Sequence, residues 1–282
     1  MPVSAEPIAH PPPTAEMLAK QARLEEVLRG YGSVAIAYSG GVDSTYLAVI
    51  AHKVLGDKSL AITADSESLA PDELIEAKEW AQKFRFPHLV IKTSELLNPD
   101  YQKNDTQRCY FCKSELMEKV TEVCAQRGFA KVALGAIMDD LGDHRPGEQA
   151  ARERGAVFPL REALLGKAEI RSLSHALGLP TADKPAAACL SSRIPFGQQV
   201  TGEKLSQVAQ AEQLLHHAGF AAVRVRHHGE TARLEVPPDR FAELLTIRDE
   251  LVREIKNLGF VYVTLDLQGL RSGSLHEAVK KI

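Results

Sequence analysis

Ser39-Gly40-Gly41-Val42-Asp43-Ser44-Thr45 brings two glycines, three hydroxyls and one carboxylate into a single short stretch. Gly40 and Gly41 permit unusual φ/ψ angles and close approach of the backbone to a ligand. Val34–Ala37, just before, is an apolar run of strand type. Thr45–Ala51, just after, begins a helical pattern that can end at Gly56. A strand therefore enters a tight loop that opens into a helix. Unpaired N–H groups at the helix start, with the helix dipole, suit a bound phosphate. The loop lacks the lysine of GxxxxGK[ST], so it is not a Walker A loop. Asp43 can hold a Mg²⁺ that bridges phosphate oxygens, or can cap the following helix.

The second set of reactive residues is the cysteines, four in all. Cys109 and Cys112 stand as CxxC in Arg108-Cys109-Tyr110-Phe111-Cys112-Lys113, a spacing used for redox, zinc or iron–sulfur chemistry. Cys189 stands among small residues in Pro185–Arg193, with Ser192 and Arg193 close by. An arginine there lowers a thiol pKa and can hold an anionic substrate group. Cys124 lies on an apolar helix face and reads as core. Three cysteines can hold three irons of a [4Fe–4S] cluster and leave the fourth open to carry a sulfide. The alternatives are reduced thiols at a helix–loop junction, or a zinc site completed by His144 or another histidine.

Two further constellations follow. Leu134–Gly147 carries Asp139, Asp140 and Asp143, which can collect Mg²⁺ and orient a nucleotide, and Gly135 lets the backbone approach it. The other choice is a solvated turn. Arg224 and Arg226 have period 2 and share one strand face, with Glu235 on the paired strand and Glu212 on the preceding helix. Two arginines on one face can bind a phosphate or carboxylate bidentately. Glu212 and Glu235 are candidate Mg²⁺ ligands. A charged outer sheet face is the alternative.

The elements that must position these groups are legible as a pattern. Strand-type runs at Val34–Ala37, Leu60–Ala64, His88–Lys92 and Lys131–Gly135 alternate with helical stretches. That alternation means βαβ units and an α/β domain with a parallel sheet. Ligands of such sheets bind beyond the carboxyl ends of the strands, which puts the glycine loop, Ala64–Ser68 and Gly135–Gly147 along one edge. From Thr201 the pattern changes. A helix over Lys204–His217, strands over Ala222–Arg226 and Ala232–Val236 with a turn at His228–Glu230, a helix over Phe241–Asn257 broken near Asp249, and a strand over Phe260–Leu265 make a small α+β module. The expected division is a Pro- and Ala-rich leader over 1–14, a nucleotide domain over 15–200 and a small domain over 201–282. The leader lacks the features of a signal peptide.

Composition excludes several classes. The chain has 282 residues, 44% apolar and 25% charged, as a soluble globular protein does. A net charge of −3 argues against nucleic acid as a partner. No apolar run approaches the roughly 18 residues of a membrane span. A cytoplasmic location is expected, where four cysteines serve metal or catalysis before disulfides.

SGGVDS (39–44) resembles the PP-motif of the ATP pyrophosphatase superfamily, whose members hold ATP there, release pyrophosphate and leave AMP on a substrate oxygen. The chain as a whole resembles the LarE family of sulfur transferases. The resemblance runs from about Ala15 to the end and rests on SGGVDST (39–45), RCYFCK (108–113), LGAIMDDLGDHRPG (134–147), KPAAACLSSR (184–193) and GLRSGSLHE (269–277). That family builds the nickel-pincer nucleotide cofactor of lactate racemase, converting the carboxylates of pyridinium-3,5-biscarboxylic acid mononucleotide to thiocarboxylates.

The resemblance implies ATP at Ser39, Gly40, Gly41, Asp43, Ser44, Thr45, Ala64, Gly135 and Arg145, with Mg²⁺ at Asp43 and Asp140. It implies a small-molecule substrate held by Ser192, Arg193, Arg224 and Arg226, the last two on its phosphate, and a homo-oligomer. One branch of the family gives up the sulfur of a single cysteine, here Cys189, which becomes dehydroalanine. Another has three cysteines and a [4Fe–4S] sulfur carrier, and Cys109, Cys112 and Cys189 match that branch. The family motif has Asn where this chain has Ile137. A PP-loop tRNA thiolase or ligase is the competing function, disfavoured by the charge.

Overall fold

The computed structural model describes residues 12–142, 145–185 and 188–271. Most of the expected leader, Asp143, His144 and the end of the Gly269–Glu277 motif lie outside these residues. In chain order the elements are helix α1 (Ala15–Tyr31), strand β1 (Val34–Ala37), α2 (Val42–Leu55), β2 (Ser59–Asp65), α3 (Pro71–Phe84), β3 (His88–Lys92), α4 (Pro99–Gln102) and α5 (Arg108–Arg127). There follow β4 (Lys131–Leu134), α6 (Pro146–Glu153), α7 (Pro159–Glu162), α8 (Lys167–Ala176), α9 (Gly202–His217), β5 (Arg224–His228), β6 (Thr231–Glu235), α10 (Phe241–Thr246), α11 (Arg248–Asn257) and β7 (Tyr262–Leu265).

The first compact unit holds the parallel sheet, in the order β3-β2-β1-β4. Its central strands read as continuous apolar runs because both faces are covered. Alternation along β1 shows this directly. Val34 and Ile36 join one core with Leu24 and Leu28 of α1, Leu47 and Ile50 of α2, and Ile170 and Leu173 of α8. Ala35 joins the opposite core with Leu60 and Ile62 of β2, Met117 and Val120 of α5, and Val132 and Leu134 of β4. The sheet is thus fixed from both sides at the strand whose end becomes the glycine loop.

The second compact unit is α+β. β5 and β6 pair antiparallel and β7 adds to β6 in parallel. The β5–β6 ladder extends to His228↔Thr231, further toward the turn than the expected strands. Gly229 has φ +64°, so the loop closes in two residues, Gly229 and Glu230. α9 and α11 cover the sheet through Leu215, Leu251 and Ile255, which pack with Val225, Leu234 and Phe260. The expected break in the 241–257 helix falls at Ile247, between α10 and α11.

The chain divides differently from the expected cut at residue 200. Residues 66–71, 94–112 and 188–200 belong to the second unit, and the division passes inside α5 between Cys112 and Lys113. A separate core explains it. Tyr101, Leu190, Ile194, Val200, Leu205 and Val208 pack together, so these segments fold with α9. Asn104, fully buried at φ +55°, locks them: its carboxamide donates to Ile194 O at 3.2 Å, Pro195 O at 2.8 Å and Gln198 O at 2.9 Å. Among the described residues no helix is long and apolar enough to cross a membrane.

The second unit is expected to be acid-sensitive. Burial holds His227 and His228 below the usual imidazole value, with Lys204 adding to it for His227, and Arg233 and Arg226 for His228. The folded chain keeps both neutral, whereas the unfolded chain protonates them near pH 6.5. Stability is therefore complete above about pH 6.5 and falls as the pH drops below it. The urea midpoint should be lower at pH 5.5 than at pH 7.5, and the difference should shrink in the His227→Gln/His228→Gln variant. Equal pH dependence in both chains would refute this origin.

Candidate active site

The glycine loop sits between β1 and α2 in the first unit. Gly40 has φ +71°, and a Cβ on it would lie 3.2 Å from the Ala77 Cβ of α3. Gly41 caps α2 without any side-chain cap, so the first-turn N–H groups lack that partner. Ser44 Oγ accepts from Ser39 N at 3.2 Å, lies 3.1 Å from Ser39 Oγ and donates to Gly41 O at 3.2 Å, which holds the loop in shape. Gly135, at the end of β4, is small for a local reason: a Cβ there would stand 3.1 Å from Ser44 N. Thr45, an expected ATP contact, is fully buried beside the Tyr38 phenol. Ala64 is half-buried at the carboxyl end of β2.

Asp43 pairs with Lys167 at 2.5 Å through Oδ2, while its Oδ1 is buried with no hydrogen-bond partner. Burial raises its carboxyl above the ordinary value, against the pull of Lys167. An unpartnered carboxylate oxygen beside a phosphate-type loop fits a Mg²⁺ ligand. The other expected acids have local duties. Asp139 Oδ2 accepts from Lys167 N at 2.8 Å, capping α8. Asp140 accepts from Ile137 N at 2.9 Å and pairs with Arg145 at 2.8 Å. Ile137 is buried, so its side chain joins the core where the motif has a polar residue.

The three reactive cysteines all belong to the second unit. Cys109 and Cys112, three residues apart on the first turn of α5, share a helix face. Cys109 and Cys189 are exposed, Cys112 is half-buried, and none is in a disulfide. Cys112 Sγ donates to Glu95 Oε1 at 3.4 Å. Cys189 precedes a short 3₁₀ turn, Leu190–Arg193, tied down by Leu190 N to Ser68 O at 2.8 Å and by Tyr101 Oη to Ser191 Oγ at 2.5 Å. Arg108 donates to Asn104 Oδ1 at 2.6 Å and to Ser191 O at 2.8 Å.

Burial opposes the Arg108 charge, yet Cys189 and Cys109 hold its pKa above the ordinary value. Burial pushes the Tyr101 phenol up, with Cys189 and Cys112 adding to it. Arg108, next to Cys109 in sequence, and Tyr101 both reach Ser191, two residues beyond Cys189. Cys124 is different: burial pushes its thiol up to about 11, as suits inert core. Among the described residues no three His, Cys, Asp or Glu side chains are grouped to hold a single metal ion. His144 lies outside the described residues. Thiolates are the ligands of iron–sulfur clusters, so these donors fit such a cluster in kind.

Of the expected substrate arginines, Arg193 and Arg226 are buried and Arg224 is half-buried. Arg193 is buried and every donor nitrogen has a protein partner. Nε and Nη2 each meet a Glu212 oxygen at 2.8 Å, and Nη1 donates to Ala188 O, to Cys189 O at 3.1 Å and to Ser192 Oγ at 3.0 Å. Arg193, an expected substrate ligand, thus clamps the backbone at Cys189. Glu212 Oε1 also accepts from Val225 N at 2.9 Å. Arg226 donates to Ser192 O at 2.9 Å and to Glu235 at 2.8 Å, and Glu235 also takes Arg233 at 3.1 Å. Both oxygens of Glu212 and of Glu235, the candidate Mg²⁺ ligands, are engaged by arginine. Arg224, half-buried, donates to Val223 O at 2.9 Å.

Pyridinium-3,5-bisthiocarboxylic acid mononucleotide synthase of Lactiplantibacillus plantarum is 37% identical over 269 residues, 95% of this chain and 97% of that one. The chain belongs to the LarE family of ATP-dependent sulfurtransferases. An uncharacterised protein of Synechocystis sp. is 45% identical over 93% of this chain and 99% of its own length. The glutamine-hydrolysing GMP synthase of Chlamydia caviae is 29% identical over 60% of this chain and 36% of that one. The asparagine synthase family matches residues 21–105, the part of this LarE chain that holds the glycine loop.

Several residues of the two sites carry no sequence signal that points to them. Tyr101 and Asn104 precede the CxxC motif in an unremarkable polar stretch. Arg108 and Lys184 stand inside motifs noticed for their cysteines. Lys167 opens a helix far along the chain from the loop it reaches.

Proposed function

We propose that this chain activates a carboxylate of pyridinium-3,5-biscarboxylic acid mononucleotide with ATP and exchanges a carboxylate oxygen for sulfur. A carboxylate oxygen attacks the α-phosphorus of ATP, the bond to the β-phosphate breaks, and pyrophosphate leaves toward Ser39–Ser44. A sulfur nucleophile then adds to the acyl carbon, and AMP departs with the original oxygen. Repetition at the second carboxylate gives the bisthiocarboxylic form. The observation that carries the reading is that Arg108, next to Cys109, and Tyr101 both reach Ser191, two residues beyond Cys189, in a relative of an enzyme named for that product.

A [4Fe–4S] cluster on those three thiolates would supply an open iron as a sulfur carrier. The chain's own part is to hold Cys189 by its carbonyl through Arg193 and to place Arg108 as a fixed cation near the developing sulfur charge. Mg²⁺ on Asp43 would offset phosphate charge. The second reading, Cys189 as a sacrificed sulfur, is favoured by its exposure. Four cysteines outside any disulfide suit a reducing cytoplasm, and a homo-oligomer is expected from the family.

The test is pyrophosphate release from ATP by anaerobically purified protein, with iron and acid-labile sulfide counted in the same sample. Release stimulated by the pyridinium mononucleotide, with about four irons and four sulfides per chain, supports the first reading. Stimulation without iron after reconstitution moves the reading to sacrificed Cys189. Stimulation by tRNA and not by the mononucleotide overturns both.

A further inference from the structure

The glycine loop has no lysine of its own between Ser39 and Thr45, yet pyrophosphate is a highly charged leaving group. Loops of the Walker type meet that charge with a resident lysine. Here two lysines from remote parts of the sequence arrive at the loop within the first unit. Lys167 Nζ lies 2.5 Å from Asp43 Oδ2, in the first turn of α2. Lys184 Nζ lies 3.3 Å from Gly40 O and 2.6 Å from Glu76 Oε2 of α3. Both are anchored at the backbone. Lys167 N donates to Asp139, and Arg171 Nη2 donates to Lys184 O at 3.0 Å. Each has a fixed root, a flexible stem and an ammonium group parked on a carboxylate.

We propose that Lys167 and Lys184 are the pyrophosphate ligands of this site, held in reserve on Asp43 and Glu76 until the triphosphate arrives. The proposal rests on the adenylation reading above. When the Pα–O bond to the β-phosphate breaks, the electron pair stays on the leaving oxygen. A cation on either side of the loop stabilises that charge without proton transfer. The exchange of partners is local. The Asp43 carboxylate, whose Oδ1 already lacks a partner, is left to a cation, and Lys167 turns from carboxylate to phosphate. Glu76 is half-exposed, so water can take over from Lys184 there. AMP, which lacks the β- and γ-phosphates, should not need either lysine.

Calorimetric titration of the full chain with Mg²⁺-pyrophosphate, Mg²⁺-ATP and AMP tests this without turnover. Lys167→Met and Lys184→Met should each bind pyrophosphate about ten- to hundredfold more weakly, the loss of one charge-assisted hydrogen bond. AMP affinity should stay within about twofold. Lys→Arg at either position should recover part of the loss, because the charge returns. Unchanged pyrophosphate affinity in both Met variants overturns the proposal and leaves the adenylation reading standing. A parallel loss of AMP affinity and of melting temperature marks a structural role and also overturns it. Wild-type protein that binds none of the three ligands overturns the adenylation reading itself. Should a Met variant fail to fold, lysine acetylation of wild-type protein, mapped by mass spectrometry, decides. Pyrophosphate should shield Lys167 and Lys184 relative to AMP, and labelling indifferent to pyrophosphate refutes the assignment.

Discussion

Cys189→Ala should still release pyrophosphate from ATP and should form no thiocarboxylate, a loss in sulfur transfer of more than about a thousandfold. The two half-reactions draw on residues of different compact units. Ser39–Ser44, Asp43 and the flanking lysines belong to one, and Cys109, Cys112 and Cys189 to the other. Removing one thiol leaves the glycine loop as it was. Cys189 is exposed on a turn whose carbonyl is held by Arg193, and substitution by alanine leaves no buried cavity. Cys124→Ala provides the control. That thiol is buried in the core with Met117 and Val120 and should matter to stability and not to transfer.

Cys109→Ala and Cys112→Ala then separate the two sulfur sources. If sulfur is carried by a cluster, each should fall as far as Cys189→Ala. If Cys189 gives up its own atom, both should retain transfer, and wild-type protein should stop after one turnover with that residue converted to dehydroalanine. Transfer by Cys189→Ala at the wild-type level would remove the residue from the chemistry altogether. The assay is quantification of thiocarboxylate product by mass spectrometry, with pyrophosphate followed in the same reaction.

How much of this was legible in the sequence depended on range. Short-range signals read well. The glycine loop and the four parallel strands follow from patterns within a dozen or so neighbours. Cys124 as core followed from its apolar helix face. What failed to read was pairing across long separations. Nothing local marks Arg193 as the partner of Glu212, or Glu235 as the meeting point of Arg226 and Arg233. A period-2 pair of arginines looks the same whether it faces a ligand or a buried carboxylate. Burial of Thr45 was likewise not legible: nothing in the motif says that its helix register turns it inward. The compact units part elsewhere than at residue 200 because a segment between sheet strands, 94–112, completes the core of the second unit.

Arg193→Ala should destabilise the second unit by about 3–5 kcal/mol, the cost of removing one partner from a buried ion pair. Arg193 and Glu212 side chains are 5% and 7% exposed, and their fork is bidentate, so the Glu212 charge would be left in the interior with only Val225 N beside it. The substitution also deprives Ala188 O, Cys189 O and Ser192 Oγ of a common donor. Sulfur transfer should therefore fall even at temperatures where the variant is folded, while pyrophosphate affinity holds. Arg193→Lys keeps the charge and loses the fork, and should recover only part of the stability. The paired Arg193→Met/Glu212→Leu variant is the sharper test. It removes both charges together, so its stability should lie well above that of Arg193→Ala. Its transfer rate should stay low, because no donor then holds the Cys189 carbonyl. Urea unfolding gives the stabilities. A loss below about 1 kcal/mol for Arg193→Ala would put the pair in the class of solvent-relaxed surface bridges and free Cys189 from its supposed clamp.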